Sequence, residues 1–132
     1  MTVNLNVLVV DDSDDLRDLI IMVIERYAAG WEVVATAAQG LQAVDAARNS
    51  QPDLVLLDIA MPVMDGLEAL PLILEAAPGA VVVMLSGFPF AVAGRGAISA
   101  GAHGYLEKSD LVGTLIPRLE RIIETSATGR PG

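Results

Sequence analysis

A chain of 132 residues with 53% hydrophobic content has room for one compact core and little for a second. Eight Lys and Arg against 17 Asp and Glu leave a formal charge of −9, which disfavours binding along a phosphate backbone. With no cysteine and a single histidine, His103, the chain excludes disulfides, thiolate metal sites, a cysteine nucleophile and histidine metal clusters.

The N-terminal MTVNLNVLVV lacks a basic start and is too short in apolar residues for a signal peptide. No apolar run approaches the roughly 20 residues of a membrane span. A cytoplasmic protein without membrane or nucleic-acid partners is the expectation. Leu5 to Val10 predicts a first strand, and Asp11 and Asp12 follow at once. Ser13 or Asp12 can cap the next helix, whose apolar positions Leu16, Leu19, Ile20, Val23 and Ile24 recur at helical spacing until Gly30. Trp31 to Thr36 predicts a second strand. Leu41, Val44 and Ala47 mark a weaker helix that closes before Pro52.

Asp53 to Leu57 predicts a third strand, and its apolar run Leu54 to Leu57 implies burial on both faces. Asp58 stands at its end. A carboxylate beside an apolar core is costly unless something pairs with it. In open α/β sheets the usual reason is a ligand or reaction centre at the carboxyl ends of the strands. Leu67 to Ala77 is helical by composition, with Pro71 tolerable early or as a kink. Pro78-Gly79 makes a turn, and Ala80 to Leu85 is a fourth buried strand running into Ser86-Gly87. Ala91 to Ala100 is a poor helix, because Gly94 and Gly96 each cost roughly 1 kcal/mol against alanine. His103 to Leu106 is a short fifth strand, with His103 most simply a surface or strand-edge histidine. Glu107 and Lys108 lead to a last helix from Ser109 to about Glu124, with Pro117 inside it. From Thr125 onward the composition predicts a frayed tail.

Strand and helix alternate five times with no hairpin signal, which calls for a parallel five-stranded sheet with five helices on its two faces. Parallel strands all point one way, so Asp11, Asp12, Asp58, Ser86 and Lys108 gather at one edge. Three carboxylates together repel unless protonation or a hard cation neutralises them, and oxygen ligands suit Mg²⁺. A carboxylate beside a metal, a hydroxyl and a lysine suits a nucleophile that accepts a phosphoryl group. Singly, each has a plainer reading. The acid pair caps a helix, Ser86-Gly87 and Asp65-Gly66 serve turns, Tyr105 is a half-buried strand residue, and Lys108 is a surface lysine beside a helix start.

In this order, from about Asn4 to Glu124, these residues resemble the receiver domains of two-component response regulators. Asp11-Asp12 is similar to the family's acidic pair and Asp58 to its phosphoacceptor. Met61-Pro62-Val63-Met64-Asp65-Gly66 is similar to the loop that follows. The resemblance implies the flavodoxin-like strand order 2-1-3-4-5. It implies Mg²⁺ held by Asp11, Asp12, Asp58 and the Ala60 carbonyl, and Ser86 and Tyr105 as switch residues. Lys108 is then the phosphate-pairing lysine. It further implies a histidine kinase or phosphotransfer protein as donor and a downstream protein as target. Self-phosphorylation and autodephosphorylation would be weak, and the protein a monomer or a phosphorylation-dependent dimer. Residues 1–124 would be the receiver, stand-alone or excised, and 125–132 a flexible tail. Three positions depart from the family pattern: Ser109 replaces the proline common after Lys108, Ala60 offers no polar side chain, and Gly87-Phe88-Pro89 replaces a more regular segment. Two other readings compete. Asp12-Ser13-Asp14 has the D-x-D form of haloacid-dehalogenase-like phosphatases, which would put the phosphoryl group on Asp12. A receiver-like docking module would turn over no phosphate.

Overall fold

A computed structural model describes residues 4–128. Five parallel strands, β1 (Leu5–Val10), β2 (Trp31–Ala37), β3 (Leu54–Leu57), β4 (Val81–Ser86) and β5 (Gly104–Glu107), lie in the order β2-β1-β3-β4-β5. Between and after them run α1 (Asp14–Tyr27), α2 (Gly40–Ser50), α3 (Gly66–Ala76), α4 (Phe90–Ser99) and α5 (Leu111–Thr128). The alternation read from the sequence and the order 2-1-3-4-5 both hold.

β1, β3 and β4 are central and apolar, and their alternate side chains feed two cores. On one face Leu8, Val10, Val55, Leu57, Val82 and Met84 pack with Ala43, Ala47, Leu70, Ile73 and Ala97 of α2, α3 and α4. On the other, Val7, Val9, Leu54, Leu56, Val83 and Leu85 pack with residues of α1 and α5, among them Ile20, Ile24, Leu115 and Leu119. β2 is an edge strand and alternates between half-buried and exposed positions, as one-sided packing requires.

Several boundaries move for identifiable reasons. Asp53 precedes β3 and braces the far end of the sheet. Its N–H donates to the Asn6 carbonyl, its Oδ2 accepts from Asn6 N–H at 2.8 Å, and its carbonyl accepts from Val81 N–H. His103 precedes β5 and holds Val82 from both sides, donating its N–H to the Val82 carbonyl and accepting from Val82 N–H at Nδ1. A single 3₁₀ turn, Lys108–Asp110, leads into α5, and the Lys108–Ser109 peptide is trans. α5 runs past Glu124 to Thr128, so the frayed tail expected from Thr125 is helical in its first four residues. Residues 129–132 lie outside the described residues. Among the described residues no helix is long and apolar enough to cross a membrane.

The two glycines that weaken α4 on paper differ in three dimensions. A Cβ on Gly94 would fall 2.0 Å from the Phe90 ring, whereas one on Gly96 meets nothing within 4 Å. Gly96→Ala is therefore expected to stabilise the protein by up to about 1 kcal/mol, read as a higher urea midpoint. An unchanged or lower midpoint would show that helix propensity does not limit α4.

Candidate functional site

The carboxyl ends of β1 and β3 are level: Val10 lies opposite Leu57, and Asp58 N–H donates to the Val10 carbonyl at 3.0 Å. Asp11 N–H donates to Ala37 at the end of β2. The first residues past β1 and β3 are thus delivered to one edge. Asp11 is 1% exposed and Asp58 3%, and with wholly buried Ser86 they make up the fully buried polar side chains among the described residues.

What makes two buried carboxylates tolerable is Lys108. Its Nζ lies 2.7 Å from Asp11 Oδ2 and 3.0 Å from Asp58 Oδ1. Asp11 Oδ1 accepts from Ser13 N–H at 2.9 Å. Asp12 is exposed, yet carboxylate oxygens of Asp11, Asp12 and Asp58 all come within 4.8 Å of one another. Burial pushes the Asp58 carboxyl above the usual carboxylate range. The Lys108 hydrogen bond opposes this, and the Asp11 charge adds to it. Burial alone would lower the Lys108 ammonium, but its bonds to Asp11 and Asp58 outweigh burial and hold it above the usual lysine value.

These shifts have opposite consequences for stability. Between the ordinary carboxylate value and the raised value of Asp58, the native state binds more protons than the unfolded chain, so stability falls as pH rises through that window. The Lys108 contribution is complete below the ordinary lysine value and is lost as pH climbs through its raised one. Urea midpoints measured against pH are expected to show the first decline in the wild type and a weaker one in Asp58→Asn. Parallel curves would refute the link to Asp58.

The loop after β3 is shaped around the back of Asp58. Gly66 N–H donates to Ile59 O at 2.7 Å, and a Cβ on Gly66 would sit 1.9 Å from the Asp58 carbonyl oxygen. Asp65 forms a capping box with Glu68, accepting from Glu68 N–H at 2.8 Å while the Glu68 carboxylate accepts from Asp65 N–H. Sequence reasoning assigned Asp65-Gly66 to turn geometry. The pair instead starts α3 and admits the phosphoacceptor candidate's own backbone. Between them and Pro62, Val63 is 93% exposed at φ 69°, a strained conformation for a β-branched residue, inside a turn closed by Met64 N–H to Pro62 O. Ala60 lies exposed just beyond Asp58.

Ser86 ends β4, opposite Glu107 of β5. Its Oγ accepts from Phe88 N–H at 2.9 Å, while the Tyr105 hydroxyl donates to the Phe88 carbonyl at 2.6 Å. The Tyr105 ring packs edge-on against Phe90, with centroids 5.6 Å apart. Asp11, Asp58 and Lys108 are therefore joined directly, Asp12 stands beside them, and Ser86 and Tyr105 are joined to each other through one residue's backbone.

The family model for the response regulator receiver domain matches residues 7–120. The chain belongs to that family. This receiver is 37% identical over 102 residues to the chemotaxis protein CheY of Halobacterium salinarum, an alignment covering 77% of the chain and 82% of that protein. It is 36% identical over 135 residues to a protein-glutamate methylesterase/protein-glutamine glutaminase of Paramagnetospirillum magneticum. That alignment covers 98% of the chain but 35% of the relative, so the receiver spans about a third of the length of that larger protein. The solved CheX-CheY-BeF3-Mg+2 complex of Borrelia burgdorferi superposes with a TM-score of 0.81 at 29% identity, covering 95% of this chain and 90% of that one.

Proposed function

We propose that this receiver is a phosphorylation-driven switch that takes a phosphoryl group on Asp58, with Mg²⁺ held by Asp11, Asp12, Asp58 and the Ala60 carbonyl. One observation carries the reading: buried Asp11 and Asp58 converge on one lysine at the strand ends, with Asp12 in reach of both. The donor set fits the ion, since it is all oxygen, hard and anionic. Mg²⁺, when bound, supplies charge neutralisation for the transferring phosphoryl oxygens.

The chain's own residues do the rest. An oxygen of Asp58 forms a bond to phosphorus as the bond from phosphorus to the donor atom breaks, and the donor keeps that electron pair. Attack of water on the product phosphorus returns Asp58 and releases phosphate. Lys108 is placed to exchange one carboxylate contact for a phosphoryl oxygen. Ser86 accepts from Phe88, which leaves its own hydroxyl hydrogen free to donate to the same group. If Ser86 turns toward the phosphoryl group, Phe88 N–H is released, and the apolar residues Phe88, Phe90, Val92 and Ile98 around α4 shift with it. All four are exposed, which suits a protein target. A histidine kinase or phosphotransfer protein in the cytoplasm is the donor this chemistry fits.

The D-x-D alternative draws less support. Asp14 lies on α1 and pairs with Arg17, whereas the carboxylate cluster around Asp12 is made with Asp11 and Asp58. Intact-mass measurement after incubation with acetyl phosphate decides the matter. One added phosphoryl group is expected with Mg²⁺ and none without it, and peptide mapping should find it on Asp58. A label on Asp12, or equal labelling without metal, would overturn the proposal. Asp12→Ala should weaken Mg²⁺ binding markedly. Asp65→Ala should leave binding unchanged and cost about 1 kcal/mol of stability through its lost cap. Equal Mg²⁺ affinity in the two variants would remove Asp12 from the metal site.

A further inference from the structure

Beneath the acidic pair lies a side chain with no role in the chemistry above. Arg17 Nη1 donates to the Asp11 carbonyl oxygen at 2.6 Å, and Nη2 pairs with Asp14 Oδ1. The Arg17 side chain is 17% exposed, so its bond to the Asp11 carbonyl is partly buried, while the Asp14 end of the fork faces solvent. Both Asp11 carboxylate oxygens are already taken, Oδ1 by Ser13 N–H and Oδ2 by Lys108. With its carbonyl held too, Asp11 is fixed at every acceptor, and the plane of the Asp11–Asp12 peptide is fixed with it. Asp12 differs. Its carboxylate is exposed and makes no hydrogen bond or ion pair among the described residues, so the backbone alone aims it at Asp11 and Asp58.

We propose that Arg17 is a positioning residue for the metal site. By clamping the Asp11 carbonyl it orients the Asp11–Asp12 peptide and so delivers the Asp12 carboxylate to the cation. The inference rests on the Mg²⁺ reading above and adds a residue to it. Groups that orient metal ligands without touching the metal typically govern affinity tenfold or more. The sign of the effect separates this role from a simple charge effect. A guanidinium beside a dication repels it, so removing Arg17 should tighten Mg²⁺ binding if charge were all that mattered. Positioning requires the opposite. Lysine at the same place keeps the charge but offers a single ammonium in place of a planar fork, and cannot hold the carbonyl and Asp14 in the same geometry.

The test is a calorimetric Mg²⁺ titration of the full chain, wild type against Arg17→Gln and Arg17→Lys, near physiological ionic strength. Both variants are expected to bind on the order of tenfold more weakly. In the metal-free state the Asp12 amide resonance should move in both, because that N–H shares the peptide plane that Arg17 holds. Unchanged or tighter binding by Arg17→Gln overturns the inference. So does full affinity in Arg17→Lys, which would reduce Arg17 to its charge. If Arg17→Gln does not fold, Arg17→Lys carries the comparison with the same two outcomes. A wild type that takes up no Mg²⁺ defeats the metal reading and this inference with it. A wild type that binds normally beside equally tight variants defeats the inference alone.

Discussion

Asp58→Asn is expected to abolish phosphoryl uptake and, at neutral pH, to raise the stability of the fold. The first half follows from the proposed chemistry, since an amide oxygen is a poor nucleophile. The second follows from burial. The Asp58 carboxylate is 3% exposed, faces Asp11, and has its pKa raised chiefly by desolvation. Asparagine has nearly the same shape and still offers Lys108 an acceptor, so the ammonium keeps Asp11 as a full partner and Asn as a neutral one. The substitution removes the desolvation of one carboxylate and its repulsion with Asp11, and a gain of about 1 kcal/mol is, for a domain of this size, a rise of roughly 4 °C in melting temperature. Thermal unfolding and intact-mass labelling of the same sample test both halves. A stable variant that still labels removes Asp58 as the phosphoacceptor. A variant that neither labels nor folds means that the carboxylate holds the structure together, contrary to the burial argument.

Gly66→Ala should be the most damaging single methyl in the site. The added carbon would lie 1.9 Å from the Asp58 carbonyl oxygen, 2.8 Å from the Asp58 carbonyl carbon and 2.9 Å from Ile59 Cα. All three are backbone atoms, so no side-chain rotation relieves the clash. Either α3 backs away and loses the Gly66–Ile59 hydrogen bond, or the chain at Asp58 is displaced. A loss of about 3 kcal/mol is expected, together with reduced labelling by acetyl phosphate although glycine has no group that takes part in the chemistry. Urea unfolding and labelling in parallel test it. A variant as stable as the wild type would mean that the loop yields freely and does not set the position of Asp58.

The site was legible in the sequence where backbone logic carries it. A parallel sheet puts every strand end on one edge, so Asp11, Asp58, Ser86 and Lys108 are brought together by topology, before any side-chain detail. Contacts that depend on distance were not legible. Nothing in Asp65-Gly66 separates a turn glycine from one that admits the Asp58 carbonyl. Arg17, on the polar face of α1, reads as a solvated charge until its bond to Asp11 is seen. Local competition explains the misplaced end of α5. Thr125 and Ser126 look like tail residues, but the Thr125 hydroxyl donates back to the Arg121 carbonyl, a bond that helix geometry itself supplies. Asp53 fails as a strand residue for the converse reason, because its side chain caps the sheet from outside.

The linkage at Phe88 bears on how the proposed switch would respond to its surroundings. One residue is held at its N–H by Ser86 and at its carbonyl by Tyr105, and neither hydroxyl carries charge. Screening by salt acts on charges, most strongly on exposed ones such as the Arg48–Asp45 pair, and hardly touches neutral hydrogen bonds. Under the proposed function, ionic strength therefore bears on the electrostatic steps, cation uptake and encounter with a charged partner. The coupling between the strand edge and α4 is built to be the same in dilute and concentrated electrolyte.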